Sequence, residues 1–359
     1  MHSLEPNFLD SLRFSAEQLK TIRAIGDARG RQALWYQQVP EVLKNLRMVA
    51  QIESTESSNR IEGVTVSPER LEPLVLKRTD PRNRSEQEVA GYRDVLGLIH
   101  DSATEMQFSA NVMLQLHGIL YRYLPDEGGH WKSAPNGIIE KHPDGSRRIR
   151  FKPSPPQLVQ IQIDKLCSNF TTAQTDGREP LVVVALSILD FLCIHPFLDA
   201  NGRVGRLLTL MLLYQFDYQV GRYISLERVI EQSKETYYEA LEASSQDWHE
   251  GQHNVMPWLN YFWGMLLRAY GEFRERLDAV HPQGHGSKTE LVRHAVLKRK
   301  KPFTLSAIED ECLGVSRDMV RHVLRQMREE GLVEVNGRGR AARWALTDNA
   351  DIGNTGTEE

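Results

Sequence analysis

The chain has 359 residues, with 44 Lys and Arg against 48 Asp and Glu, a formal net charge of −4 and 26% charged residues; that length holds two or three domains on the usual scale. So even a balance excludes a polybasic tail and an acidic disordered block, and bulk charge names no partner. Three cysteines without metal-type spacing, no apolar run long enough to span a bilayer and no signal-peptide order at the start lead us to expect a cytoplasmic protein with no membrane partner.

Residues 1–100 read as an N-terminal helical region. Within it, Ser58-Asn59-Arg60-Ile61-Glu62-Gly63 predicts a helix that carries Glu62 at its end and stops at Gly63. A helical core is expected over 101–280, because its apolar residues recur at helical spacing, as in Met113, Leu116 and Leu120. The fold class is therefore mainly α. The clearest exception is a short β-hairpin over 137–151, where Asn136-Gly137-Ile138-Ile139 and Ile149-Arg150-Phe151 flank the turn residues Pro143-Asp144-Gly145-Ser146. Lys152-Pro153-Ser154-Pro155-Pro156 then ends the second strand.

Leu181 to Ile194 is a strongly apolar helix, and the polar segment from His195 to Arg206 begins where the chain leaves the core. Asp199-Ala200-Asn201-Gly202 form the turn and the start of the next helix, whose unpaired N–H groups and positive dipole end suit phosphate. Gly202 admits a close approach. Arg203 and Arg206, three apart, share a helix face and read as a polyphosphate clamp, while Asn201 is placed to bond a phosphate oxygen. Asp199 is a hard oxygen ligand of the kind that Mg²⁺ takes beside phosphates. His195 alone in the loop titrates near neutrality, as a general base must.

Two other patterns carry less. His249-Glu250-Gly251-Gln252-His253 matches a zinc-protease spacing, but Gly251 and the segment Asn254 to Pro257 deny it a helix. Gly284-His285-Gly286-Ser287-Lys288-Thr289 does not meet the phosphate-loop spacing.

His281 to Ser287 has linker composition, and a small domain is expected over 281–347: helices at 289–300, 305–312 and 316–330, then strands at 332–335 and 342–346. That order resembles a winged helix-turn-helix. Arg317, Arg321, Arg325 and Arg328 on its third helix, with Arg338, Arg340 and Arg343 in the wing, suit DNA, whereas Asp318, Glu329 and Glu330 interrupt the positive face. DNA binding and a protein contact both stay open there. Residues 348–359 read as a disordered tail.

At 195–206 the chain resembles the Fic family, whose signature is His-x-Phe-x-Asp/Glu-Gly-Asn-Gly-Arg-x-x-Arg; the one departure is Ala200 in place of glycine. The resemblance implies a Fic fold and transfer of AMP from ATP to a tyrosine, serine or threonine hydroxyl of a target protein or of the chain itself. It implies His195 as general base, Asp199 as the Mg²⁺ ligand, and Asn201, Gly202, Arg203 and Arg206 on the phosphates of ATP, with Phe197 anchoring the loop. Gly137, Ile138 and Ile139 fall where Fic proteins carry a target-docking flap, and Tyr237 and Tyr238 where adenine is held. Ser58, Glu62 and Gly63 resemble the inhibitory motif of self-restrained members, with Glu62 paired to Arg206. A homodimer is a further expectation. Two alternatives remain: a DNA-binding regulator whose core senses a nucleotide, and an enzyme that uses another nucleotide or removes AMP.

Overall fold

A computed structural model describes residues 3–38, 40–141, 147–280, 287–299, 301–312, 315–337 and 342–347. The turn residues Pro143 to Ser146, the linker up to Gly286, the wing residues Arg338 and Arg340, and the 348–359 tail lie outside the described residues. The chain divides into two units, Met1–Arg276 and Leu277–Glu359.

The first unit opens with α1 (Pro6–Ser11), α2 (Ala16–Gln38), α3 (Pro40–Ile61), α4 (Pro68–Val75), α5 (Arg84–Ser102) and α6 (Ala110–Leu120). The hairpin strands β1 (Ile138–Lys141) and β2 (Arg147–Phe151) follow, then α7 (Pro156–Thr175), α8 (Pro180–Ile194) and α9 (Asn201–Gln215). A 3-10 turn at Val220–Arg222 leads to α10 (Leu226–Gln232), α11 (Lys234–Ser245) and α12 (Met256–Val280). Side chains cap two of these helices at their starts: Asn83 accepts the amide of Glu86 at 3.0 Å ahead of α5, and Ser225 that of Arg228 at 3.0 Å ahead of α10.

Every residue of α8 from Leu181 to Ile194 is buried, as an all-round apolar helix must be. It packs against α7, α9 and α11, while α5 bridges α3, α6 and α9. The N-terminal helices thus belong to the same unit as the core. Even the chain start is tied in: Ser3 Oγ donates to Asp190 of α8, which also accepts from Trp248 Nε1 at 2.6 Å. Burial raises the Asp190 carboxyl to about 6, with those two donors opposing it.

The hairpin is antiparallel, with Ile139 opposite Ile149 and Lys141 opposite Arg147, and its register shifts between Ile138 and Ile139. His249 and His253 lie in turn and coil rather than on one helix. The His249 ring stacks on Phe151 with centroids 5.5 Å apart, and His253 Nε2 meets Ser3 Oγ at 2.8 Å. No cluster of metal-ligating side chains occurs among the described residues, and no helix among them is long and apolar enough to cross a membrane.

The second unit holds α13 (Ser287–Leu297), α14 (Leu305–Glu311), α15 (Arg317–Glu329) and the antiparallel pair β3 (Val333–Asn336) and β4 (Arg343–Leu346). Its own core gathers Val292, Val296, Phe303, Ile308, Val320, Leu324, Met327 and Trp344. Phe303 joins the sheet through a bridge to Trp344.

Candidate active site

The loop between α8 and α9 is held open by an unusual backbone and a small set of bonds. His195 and Ala200 both have left-handed backbones, at φ 52° and 65°, a conformation that L side chains take at a cost of about 1–2 kcal/mol. Asn201 offsets it: its Oδ1 accepts the Phe197 amide at 2.9 Å and its Nδ2 donates to the Phe197 carbonyl at 2.8 Å. Asn136 donates to the same carbonyl at 2.9 Å. The Phe197 side chain is fully buried and stacks on His117, with ring centroids 3.9 Å apart and planes 1° from parallel.

His195 Nδ1 lies 3.1 Å from the Leu192 carbonyl. A carbonyl only accepts, so Nδ1 carries the proton and Nε2 keeps its lone pair. Burial pulls the ring pKa down to about 4; the Leu192 bond opposes the shift, Lys132 adds to it, and Glu62 and Asp199 oppose it. The ring is thus a neutral base at neutral pH. Lys132, unforeseen in the sequence, is buried, donates to the Ile194 carbonyl at 3.2 Å and to Asn136 at 2.9 Å, and is lowered to about 8 by desolvation. Nothing in the sequence around Lys132 marks it, because the α8 terminus that it meets at Ile194 lies 62 residues away.

A cavity of about 640 Å³ opens over the loop, lined by His195, Asp199, Asn201, Gly202 and Arg206 from below and by Asn136, Gly137, Ile138, Arg150 and Phe151 from the hairpin. Lys234, Tyr237, Tyr238 and Leu241 of α11 form another wall. Tyr237 is buried against Trp258 and Tyr261, whereas Tyr238 lies under Arg150, whose guanidinium carbon is 5.6 Å from its ring centre. Arg148 and Arg150 both pair with Glu242 of α11, which leaves the outer edge of β1 without a strand partner among the described residues.

The two arginines of the expected clamp part company. Arg206 lines the cavity, but Arg203 is buried toward α5, where it donates to Glu88 at 2.7 Å. The reason is packing: a charge sunk in the core needs a carboxylate, and α5 supplies one. Asn201 lines the cavity while one bond from each of its amide atoms ties it to the Phe197 backbone. Asp199 is the exposed carboxylate of the loop, its side chain 69% accessible.

Arg206 is met by the end of α3. Its Nε donates to Ser58 Oγ at 2.8 Å, and one terminal nitrogen donates to the Ser58 carbonyl at 2.9 Å and to Glu62 Oε1 at 2.8 Å. Although burial opposes charge on Arg206, Glu62 holds its pKa above the ordinary value. Gly63, at φ 85°, turns the chain away, and Val64 N closes on the Asn59 carbonyl at 3.0 Å. Glu62 also covers the N-terminus of α9: a Cβ on Gly202 would lie 2.3 Å from Glu62 Oε1. The carboxylate thus sits on the very groups that the sequence marks as an anion seat.

This is a mainly helical protein whose candidate site is a cavity of about 640 Å³ over the loop between two core helices. Residues 107–213 match the model of the Fic/DOC family. In fold the chain is similar to a Fic family protein from Desulfovibrio desulfuricans G20, with a TM-score of 0.58, 22% identity and coverage of 94% of this chain and 98% of that one. A Fic domain containing signaling protein from Bacteroides thetaiotaomicron VPI-5482 gives a TM-score of 0.58 at 21% identity, covering 70% of this chain and 94% of that one. Fic-1 from C. elegans gives 0.59 at 17% identity, with 74% of each chain covered. The fold is a Fic fold, the fold of a family that commonly transfers nucleoside monophosphates to proteins.

Proposed function

We propose that the chain is a protein adenylyltransferase. ATP lies in the cavity with its phosphates toward the α9 N-terminus and its base toward Tyr237 and Tyr238. A target hydroxyl, presented along the free edge of β1, gives its proton to His195 Nε2 and attacks the α-phosphorus; the new O–P bond forms as the bond to pyrophosphate breaks. The observation that carries this reading is the 3.1 Å approach of His195 Nδ1 to the Leu192 carbonyl, which puts the proton on Nδ1 and leaves Nε2 as the base of a ring that lines the cavity. Asp199, exposed beside the anion seat, fits as the protein ligand of Mg²⁺, an ion that keeps most of its water and needs few carboxylates. When bound, that ion neutralises phosphate charge.

In the same reading Glu62 is a brake. It occupies Arg206 and the first turn of α9, so a triphosphate must displace it to bind productively. Mass spectrometry of the Glu62→Gly protein incubated with ATP, Mg²⁺ and cell lysate tests both parts. AMP adducts on the chain or on a target should rise above wild type and vanish in Glu62→Gly with His195→Ala. An adduct of another nucleotide changes the substrate, and loss of pre-existing AMP assigns removal; unchanged labelling in Glu62→Gly eliminates the brake.

A further inference from the structure

The second unit carries a surface that the nucleotide reading does not use. Residues 287–347 hold 13 Lys and Arg against 8 Asp and Glu, in a chain whose net charge is −4. The positive charge is therefore segregated, and α15 concentrates it. At about 100° per residue, Arg317, Arg321, Arg325 and Arg328 fall within an arc of about 80°, beside the buried arc of Val320, Val323, Leu324 and Met327. The acids that interrupt this helix in the sequence lie off that arc: Asp318 and Glu329 fall about 20° and 40° beyond its edge, and Glu330 is bound by Arg293 at 2.6 Å.

The four arginines line one shallow depression of about 390 Å³ together with Thr304, Ser306 and Trp344. Arg317 is tied to Glu309 at 2.8 Å and Arg321 to Asp318 at 3.3 Å, both exposed pairs of the kind that yield readily to a stronger anion. Arg325 and Arg328 are exposed and make no ion pair among the described residues. The stripe runs about 16 Å along the helix, comparable with the roughly 12 Å width of a B-form major groove. The apolar residues that line the depression, Leu305, Val335 and Trp344, are half-buried or buried, so the exposed surface there is made chiefly by the guanidinium groups, with few apolar anchors for a protein partner.

We propose that this arginine stripe binds duplex DNA through its phosphates, with α15 laid along the major groove. The A-form major groove of an RNA duplex is too narrow to admit it. The claim is independent of the adenylylation reading, since no residue of the cavity takes part.

The test uses the full chain and a fluorescein-labelled 24-base-pair duplex of mixed sequence, followed by anisotropy across a salt series. Four phosphate contacts give a slope of about −3.6 in log affinity against log salt, hence a loss of about 100-fold between 50 and 200 mM. Arg325→Ala with Arg328→Ala should flatten that slope by about two while the melting temperature holds, because neither side chain enters the core. Absence of binding at 50 mM salt, an unchanged slope in the double variant, or tighter binding to an RNA duplex of the same sequence overturns the proposal. So does a wild-type dimer that the double variant splits without any loss of duplex binding, which makes the stripe a contact between copies.

Discussion

At Ala200 the sequence carries a methyl group where the Fic signature has none, and the backbone there is left-handed. Glycine takes that conformation freely, whereas alanine pays about 1–2 kcal/mol, partly offset by the roughly 0.5–1 kcal/mol that glycine loses through its freer unfolded chain. Ala200→Gly should therefore stabilise the protein by about 0.5–1 kcal/mol, a rise of about 1–4 °C in melting temperature for a domain of this size. A calorimetric scan checks it, and a fall in melting temperature would show that the Cβ of Ala200, which is buried, earns more in packing than it costs in strain. Lys132 and Glu88 act at the same scale, one donating to the end of α8 and the other neutralising Arg203.

Three elements meet at the cavity, and their ends rather than their lengths make the site. The C-terminus of α8 delivers His195, the N-terminus of α9 offers its amides, and the C-terminus of α3 sets Glu62 against α9 through Arg206 and the first turn at Gly202. Removing Glu62 leaves Arg206 charged and buried with neutral Ser58 oxygens as partners. Because Glu62 is 33% exposed, the loss should be below that of a fully buried pair, about 1–3 kcal/mol. Phosphate can replace the missing carboxylate. ATP with Mg²⁺ should thus raise the melting temperature of Glu62→Gly more than that of wild type, in a dye-based thermal shift; equal shifts would mean that Glu62 does not compete with the nucleotide.

For the whole molecule three histidines, His100 and His117 buried and His195 half-buried at the cavity, set the response to acid. His195 and His117 are lowered to about 4 and His100 to about 3, all chiefly by burial. Each binds its proton more readily when unfolded, near 6.5, than when folded, so its contribution to stability is full above 6.5 and is lost as pH falls toward 4. Asp190 works in the opposite sense: raised to about 6, it favours the fold at low pH and loses that contribution as pH rises through 6. Three groups outweigh one, so the melting temperature should drop steeply between pH 6 and 4, and the acid limb of AMP transfer should sit near 4 rather than 6.5. A flat melting temperature down to pH 4.5 would show that these rings are solvated.

The helical fold class, the hairpin, the order of elements in the second unit and the loop from His195 to Arg206 were legible in the sequence, because each rests on local period, turn chemistry or a contiguous motif. The pairing of Glu62 with Arg206 was legible through a family resemblance, since nothing local links residues 144 positions apart. Only the tertiary structure turned Arg203 away to Glu88, closed Asn201 onto Phe197 and brought Lys132 beneath the α8 terminus. Those outcomes depend on which helix faces which. A side chain's type fixes what it can bond, but burial and the neighbour across the interface decide which bond it makes.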